Sequence, residues 1–254
     1  MTPYSTGTWG SRCMVMAGGA VSMACKELAR RASKIGAQLL QTDVSNVSVR
    51  GGRVAGPQSA ISLTEIARTW YLQPQNLPSD VDMGGLEATV GYRPTPDSGT
   101  FSYATHAALV AVDPEIGAVE ILDYVIVEDG GKLVNPMIVD GQILGGYAQG
   151  IGTALYEEMP FNSAGQPLAS TFADYLLPGP TEVPAPRIDH METLAPHTEF
   201  GVKGLGEGGA IAPPAAIINA VNDALRPLRA ELLVSPITPR QVLQAIAQAG
   251  RSPT

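Results

Sequence analysis

The sequence is short of cysteine, with only Cys13 and Cys25 in 254 residues and no C-x-x-C pair. That excludes a disulfide framework and a cysteine-rich zinc site, and a reducing cytoplasmic compartment is expected. Charge is also scarce, at 16% of residues with a net value of -8. A nucleic-acid footprint needs clustered Lys and Arg, so no nucleic-acid partner is expected. No apolar run reaches membrane-spanning length, and the opening MTPYSTGTWGSR lacks the charged and apolar blocks of a signal peptide. No Gly-Lys-Ser/Thr triplet follows any glycine cluster, which excludes a Walker loop. Internal repeats and low-complexity tracts are missing too. What remains is an ordinary apolar share of 44%, on a chain long enough to bury about three quarters of its unfolded surface. So little charge on such a chain implies that much of its surface is covered by something else.

Periodicity places the main elements. From Ala20 to Leu40, Val21, Cys25, Leu28, Ala32, Ile35 and Leu39 recur at spacings of four and three, one face of a long helix. VSVRGGRVAG reads as a hairpin turning at Gly51-Gly52. ISLTEIARTW opens a helix with a Ser62–Glu65 capping box and an Ile61–Ile66 staple. Residues 73–85 are rich in Pro, Gly, Asn and Asp and read as an exposed connector, possible lobes lying to either side. Residues 105–129 read as two apolar strands joined at Asp113–Gly117. DGQILGGYAQGIGTALYEE reads as a helix with Asp140 as N-cap. It carries Gly145, Gly146, Gly150 and Gly152, each costing about 1 kcal/mol in a helix interior against alanine. APPAAIINAVNDAL and ITPRQVLQAIAQAG read as two further helices, the second with Thr238 as N-cap and Gln241 at N3. The expected class is α+β, with helices and antiparallel strands mixed.

The stretch FGVKGLGEGGAIAPP, residues 200–214, formally contains G-x-G-x-x-G. A strand is available before it in TEFGVK, but the helix is expected late, after AIA. The carboxylate of Glu207 would also repel a pyrophosphate, so the nucleotide-cradle reading is weak. Two readings of Glu207 remain. Glycines on both sides let a bulky group approach its carboxylate, and a tight, partly dry pocket would make it a general base. Alternatively it is a solvated glutamate in a flexible turn.

FGVKGLGEGGAIAPPAAIINAVNDAL resembles the catalytic-glutamate segment of the molybdenum-binding subunit of the xanthine oxidase and aldehyde oxidase family of molybdenum hydroxylases. TPYSTGTWGSRCMVMAGGAV is similar to that family's Gly-Thr-aromatic-Gly-Ser-Arg loop, and VDPEIGAVEILDYVIVEDGGKLVNPMIVDGQILGGYAQGIGTALYEE to its central strands and glycine-rich helix. TFADYLLPGPTEVP and ITPRQVLQAI also fit. The resemblance runs over residues 1–254 and implies the C-terminal, molybdopterin-binding region of such a subunit.

That resemblance implies roles. Glu207 corresponds to the base that deprotonates the attacking oxygen in hydroxylation of an aldehyde or N-heteroaromatic carbon, with water as oxygen donor. Leu205 and Gly206 match positions that approach the metal and its pterin. Gln149 matches a glutamine that hydrogen-bonds the pterin, and Gly10, Ser11 and Cys13 match a cofactor-contacting loop. No protein ligand to the metal is implied. The implied cofactor is molybdopterin cytosine dinucleotide with molybdenum. A [2Fe–2S] subunit, usually an FAD subunit, and a chain carrying the N-terminal half of the molybdenum subunit are the implied partners. On this reading the chain is one part of a split subunit, inactive alone. A non-catalytic scaffold or assembly subunit is the alternative.

Two positions depart from the family pattern: Cys13 stands for a commoner serine and Leu144 for a commoner histidine. The GEGG form, without Ser-Pro after the glutamate, argues against a copper-dependent carbon monoxide dehydrogenase. Cys13 fits backbone contact with the pterin or a small apolar filler. Lys203 fits either neutralisation of the cofactor or an ordinary surface lysine. Phe101 and Tyr103 fit a substrate channel or strand core. His106 reads as a structural histidine, and His190 and His197 as surface loop. The helix glycines fit either a cofactor lying against that face or helix–helix packing.

Overall fold

The computed structural model describes residues 7–95 and 99–250. They fall into two compact units, residues 16–95 in the smaller, and residues 7–15 with 99–250 in the larger.

In the smaller unit, α1 (Gly19–Leu39) packs on a three-stranded antiparallel sheet of β1 (Ser48–Arg50), β2 (Arg53–Ala55) and β3 (Ala60–Ser62). Its buried face is the C-terminal half of the expected stripe, around Ala32 and Ile35, while Val21 is 63% exposed. A Cβ on Gly36 would stand 2.7 Å from Val54 Cγ1, so the missing side chain is what lets helix and sheet meet. Gly51 and Gly52 both take positive φ (+56° and +73°), as a two-residue hairpin demands. Ser62 caps α2 (Leu63–Leu72), its Oγ accepting the Glu65 N–H at 3.1 Å. Ile66 of α2 completes the small core with Ala32, Ile35 and Val54. Residues 73–85 are mostly exposed. α1 bonds to them through Lys34 to Asp80 and Arg31 to the Gly85 carbonyl.

The larger unit is built on a second sheet, ordered β4 (Tyr103–Val112), β5 (Val119–Asp129), β6 (Arg187–Met191). β4 and β5 form the expected antiparallel hairpin, and β6 adds in parallel to β5. Asp113 Oδ1 ties the turn by accepting the N–H of Glu115 and of Ile116. β5 supplies Ile121, Tyr124 and Ile126 to the core. Against them lie Ile143, Tyr147 and Ile151 of α3 (Pro136–Ile151), Ile217, Val221 and Leu225 of α5 (Pro213–Leu225), and Val242 and Ala245 of α6 (Pro239–Ala249). Each large aliphatic fully buried there contributes about 1.5–3 kcal/mol. Tyr124 and Tyr147 pack ring against ring, tilted at 46° with centroids 4.5 Å apart. α6 opens with the Thr238–Gln241 capping box.

Two expectations give way. α3 starts at Pro136, capped by Asn135, not at Asp140. Asn-Pro supplies a cap and a residue that needs no N–H at N1, and this local signal outweighs that of Asp140. Asp140 instead sits in the second turn, its Oδ1 2.8 Å from His190 Nε2. TEFGVK is not a strand. It holds a 3-10 turn at Glu199–Gly201, and Val202 touches Gly131 through a single isolated bridge.

Candidate functional site

The glycine loop is anchored from behind. Lys203 is 6% exposed, and its Nζ lies 2.9 Å from Oδ1 of the fully buried Asp129. Asp129 also accepts the N–H of Gly131 and of Thr193. Burial alone would raise this carboxyl, but the bonds from Thr193, Gly131 and Lys203 outweigh it and hold it far below the ordinary range. Lys203 is therefore neither a surface lysine nor a free cation for a cofactor. It pins the loop to the end of β5. The Lys203 N–H donates to the Gly130 carbonyl at 2.9 Å and the Gly204 N–H to Thr100 Oγ1 at 3.0 Å. The Leu205 side chain fills the space over Gly130, where a Cβ would lie 3.2 Å from its Cγ.

Glu207 is held by Ser11. The Ser11 hydroxyl accepts the Glu207 N–H at 3.0 Å and donates to Glu207 Oε2 at 2.8 Å. To do this Ser11 takes a left-handed backbone (φ 56°), next to Gly10 at φ 59°. For a non-glycine residue that conformation costs about 1–2 kcal/mol, and here it places the hydroxyl. A Cβ on Gly204 would stand 3.0 Å from the Ser11 carbonyl oxygen, so the glycine admits the Ser11 loop. A helical turn, α4 (Gly208–Ile211), opens immediately after Glu207, earlier than the sequence suggested. Glu207 and Gly206 are exposed. The chain gives Glu207 fixed partners but not the dry pocket expected of a base.

The helix α3 faces the same place. Gln142 Nε2 donates to the Gly206 carbonyl at 3.0 Å. Gly141, Gln142, Gly145 and Gln149 form one exposed stripe. Gln149 lies two turns beyond Gln142, about 10 Å along the axis. The glycines divide between the two readings. A Cβ on Gly146 would lie 2.7 Å from the Ala210 nitrogen, and one on Gly150 2.7 Å from Pro213 Cβ, so these two serve close packing with α4 and α5. Gly152 faces the Glu157 carboxyl. A Cβ on Gly141 or Gly145 would meet nothing within 4 Å, and these two leave bare backbone on the open stripe.

The other candidates scatter. Cys13 is exposed, with Sγ 2.9 Å from Thr8 Oγ1, so it is no apolar filler. Phe101 and Tyr103 are exposed, not strand core, and Lys203 Nζ sits 4.8 Å over the Tyr103 ring. His106 is only half satisfied: Nδ1 is 3.1 Å from the Tyr124 hydroxyl, while buried Nε2 has no partner. His190 lies in β6, not in a loop, and contacts Asp140. His197 is in an exposed turn. Among the described residues no three His, Cys, Asp or Glu side chains form a metal-binding group, and no helix is long and apolar enough to cross a membrane. Two residues escaped the sequence reading. Gln142 was legible as the polar residue two turns before Gln149. Glu128, wholly buried beneath Gly208, was not.

The chain is similar to known proteins over nearly its whole length. The molybdopterin cofactor-binding domain family matches residues 1–184. The nicotine 6-hydroxylase large subunit of Paenarthrobacter nicotinovorans is 37% identical over 95% of this chain and 30% of its own length. The carbon monoxide dehydrogenase large chain of Hydrogenophaga pseudoflava is 31% identical over 97% of this chain and 30% of its own length. The crystal structure of quinoline 2-oxidoreductase from Pseudomonas putida 86 superposes with a TM-score of 0.89 at 35% identity, covering 96% of this chain and 31% of that one. The chain thus spans about 30% of the length of these relatives.

Proposed function

This chain belongs to the molybdopterin cofactor-binding domain family of the xanthine oxidase type, and from that premise we propose that it forms part of the active site of a molybdenum hydroxylase in which Glu207 is the general base. The observation that carries this is the reciprocal pair of hydrogen bonds between Ser11 and Glu207, which fixes a carboxylate beside an open, glycine-lined stripe. The residues present fit the cofactor. Gly141 and Gly145 clear the space that a flat ring system needs, Gly10 has open space where a Cβ would be, and Gln149 offers an exposed amide. A donor set of amides, hydroxyl and backbone suits a pterin held by hydrogen bonds and not by side-chain ligation.

When bound, the molybdenum cofactor supplies the two-electron oxidation and the oxygen transfer. The chain's own residues do the rest. Gly10, Ser11 and Cys13 would line one side of the cofactor, Gln149 would bond its pterin, and Leu205 and Gly206 would carry the Glu207 turn beside the metal. Ser11 keeps Glu207 Oε2 occupied as an acceptor, which leaves Oε1 to take the proton of the attacking oxygen. The cytosine dinucleotide form of the cofactor, with [2Fe–2S] and FAD on further subunits, is the assembly proposed. Residues outside this chain close the pocket over Glu207. The relatives' names favour an N-heteroaromatic substrate over an aldehyde, and a cytoplasmic location is proposed with them. The test is Glu207→Gln in the assembled enzyme. Removing a general base should cost about 10²–10⁴ in turnover with molybdenum content unchanged, and a loss below about tenfold would refute the assignment.

A further inference from the structure

Glu128, near the end of β5, is 1% exposed, and its Oε2 has no hydrogen-bond partner. Its carboxyl lies directly beneath the Glu207 turn. A Cβ on Gly208 would collide with Glu128 Oε1 and lie 3.0 Å from its Cδ. We propose that Glu128 is a positioning residue for Glu207: its buried carboxyl, carried as the neutral acid, is the floor on which the Glu207–Gly208 turn rests. This rests on the reading of Glu207 as the base.

The chemistry follows from burial. An ionised carboxylate shut away from water with an empty acceptor oxygen costs several kcal/mol, and the group avoids this by keeping its proton. The neighbours offer no full compensation. His190 on β6 is its register partner and acts on it electrostatically, but its own buried Nδ1 is unpartnered and its Nε2 faces Asp140 of α3. β4 places Ala104 opposite Glu128 and carries His106, which is bonded to Tyr124. α4 is headed by Glu207 itself. Asp129 next in sequence is spent on Lys203. Burial outweighs the pull of His190 and pushes the Glu128 carboxyl up to about 7, so the neutral acid is the main form below that pH. Gly208 and Glu128 thus share one space: the glycine yields its side-chain volume, and the neutral carboxyl fills it without repelling the Glu207 carboxylate.

The experiment compares Glu128→Gln, Glu128→Ala and Glu207→Gln with the parent in the assembled enzyme. Glutamine mimics the neutral acid, so E128Q should keep kcat/KM within about threefold. E128A removes the floor, and kcat should fall by about tenfold or more with KM little changed. Both should retain parental molybdenum content. Independently of activity, the melting temperature of the parent should fall more between pH 5 and pH 8 than that of E128Q. Parental kcat in E128A, or equal pH slopes of melting in the parent and E128Q, overturns the proposal. Should E128A fail to assemble, E128Q and the melting comparison still decide it. Free turnover by E207Q would sink the base assignment, and Glu128 as a neutral prop would then stand or fall on the melting slopes.

Discussion

The Ser11 hydroxyl meets Glu207 twice, accepting its backbone N–H at 3.0 Å and donating to its Oε2 at 2.8 Å. One side chain, on a strained backbone, therefore sets both the place and the rotamer of the proposed base. Two substitutions separate strain from bonding. Ser11→Ala keeps the unfavourable φ and loses both bonds, and should lower stability by about 1–2 kcal/mol. Ser11→Gly loses the same bonds but relaxes the left-handed conformation, and should be clearly more stable than Ser11→Ala. Both should lose about tenfold or more in kcat/KM. Melting curves beside steady-state kinetics on the assembled enzyme check this, and equal stability of the two variants would contradict it.

Gly145 and Gly146 are neighbours in α3 with opposite surroundings. Gly146→Ala drives a methyl group to 2.7 Å from the α4 backbone, and overpacking against a backbone should cost about 1–3 kcal/mol. Gly145→Ala points into open space and should gain up to about 1 kcal/mol from helix propensity. If the pterin lies against this stripe, Gly145→Ala should nevertheless reduce bound cofactor. Molybdenum and pterin assays beside thermal melts measure both effects.

The buried Asp129–Lys203 pair sets a third expectation. Lys203→Met strands a carboxylate that is also bonded to Gly131 and Thr193, and should destabilise the larger unit by about 3–5 kcal/mol. Its pH dependence has a definite sign. The Asp129 pKa is depressed on folding, so the stability it contributes is present above the unfolded value, about 4, and is lost only as pH falls below it. Near neutral pH, denaturation of the parent should show no trace of this group.

Glu128 has the opposite sign. Its pKa is raised from 4.5 to about 7, so the native state holds a proton there that the unfolded chain releases. Stability should fall as pH rises from about 4.5 to about 7 and then level, by up to about 3 kcal/mol from this group. Denaturation at pH 5, 6, 7 and 8 would reveal it, and Glu128→Gln should flatten that part of the profile.

Elements written in local signals were legible in the sequence. The Gly51-Gly52 hairpin, the Ser62 and Thr238 caps and the Asp113 turn depend on residues a few positions apart. The start of α3 went astray because two capping residues, Asn135 and Asp140, competed within six positions, and the sequence does not show that Asp140 is committed to His190. At the site, the glycine run singled out Glu207, and the family resemblance singled out Ser11. Neither showed that Ser11 bonds Glu207 across a separation of 196 residues. Glu128 was invisible for the same reason. In sequence it is one acidic residue closing an apolar strand, and only the approach of Gly208 gives its burial a meaning.

Where α3 crosses α4, Gly146 and Gly209 let main chain touch main chain: a Cβ on Gly209 would stand 2.9 Å from the Ile143 Cα. Ordinary helix contacts run through side chains, which swing between rotamers and absorb small displacements. Here main chain bears on main chain, with the Gln142 amide bonded to the Gly206 carbonyl beside it. The gap between the Gln142–Gln149 stripe and Glu207 is therefore set by backbone packing, which has little slack to give.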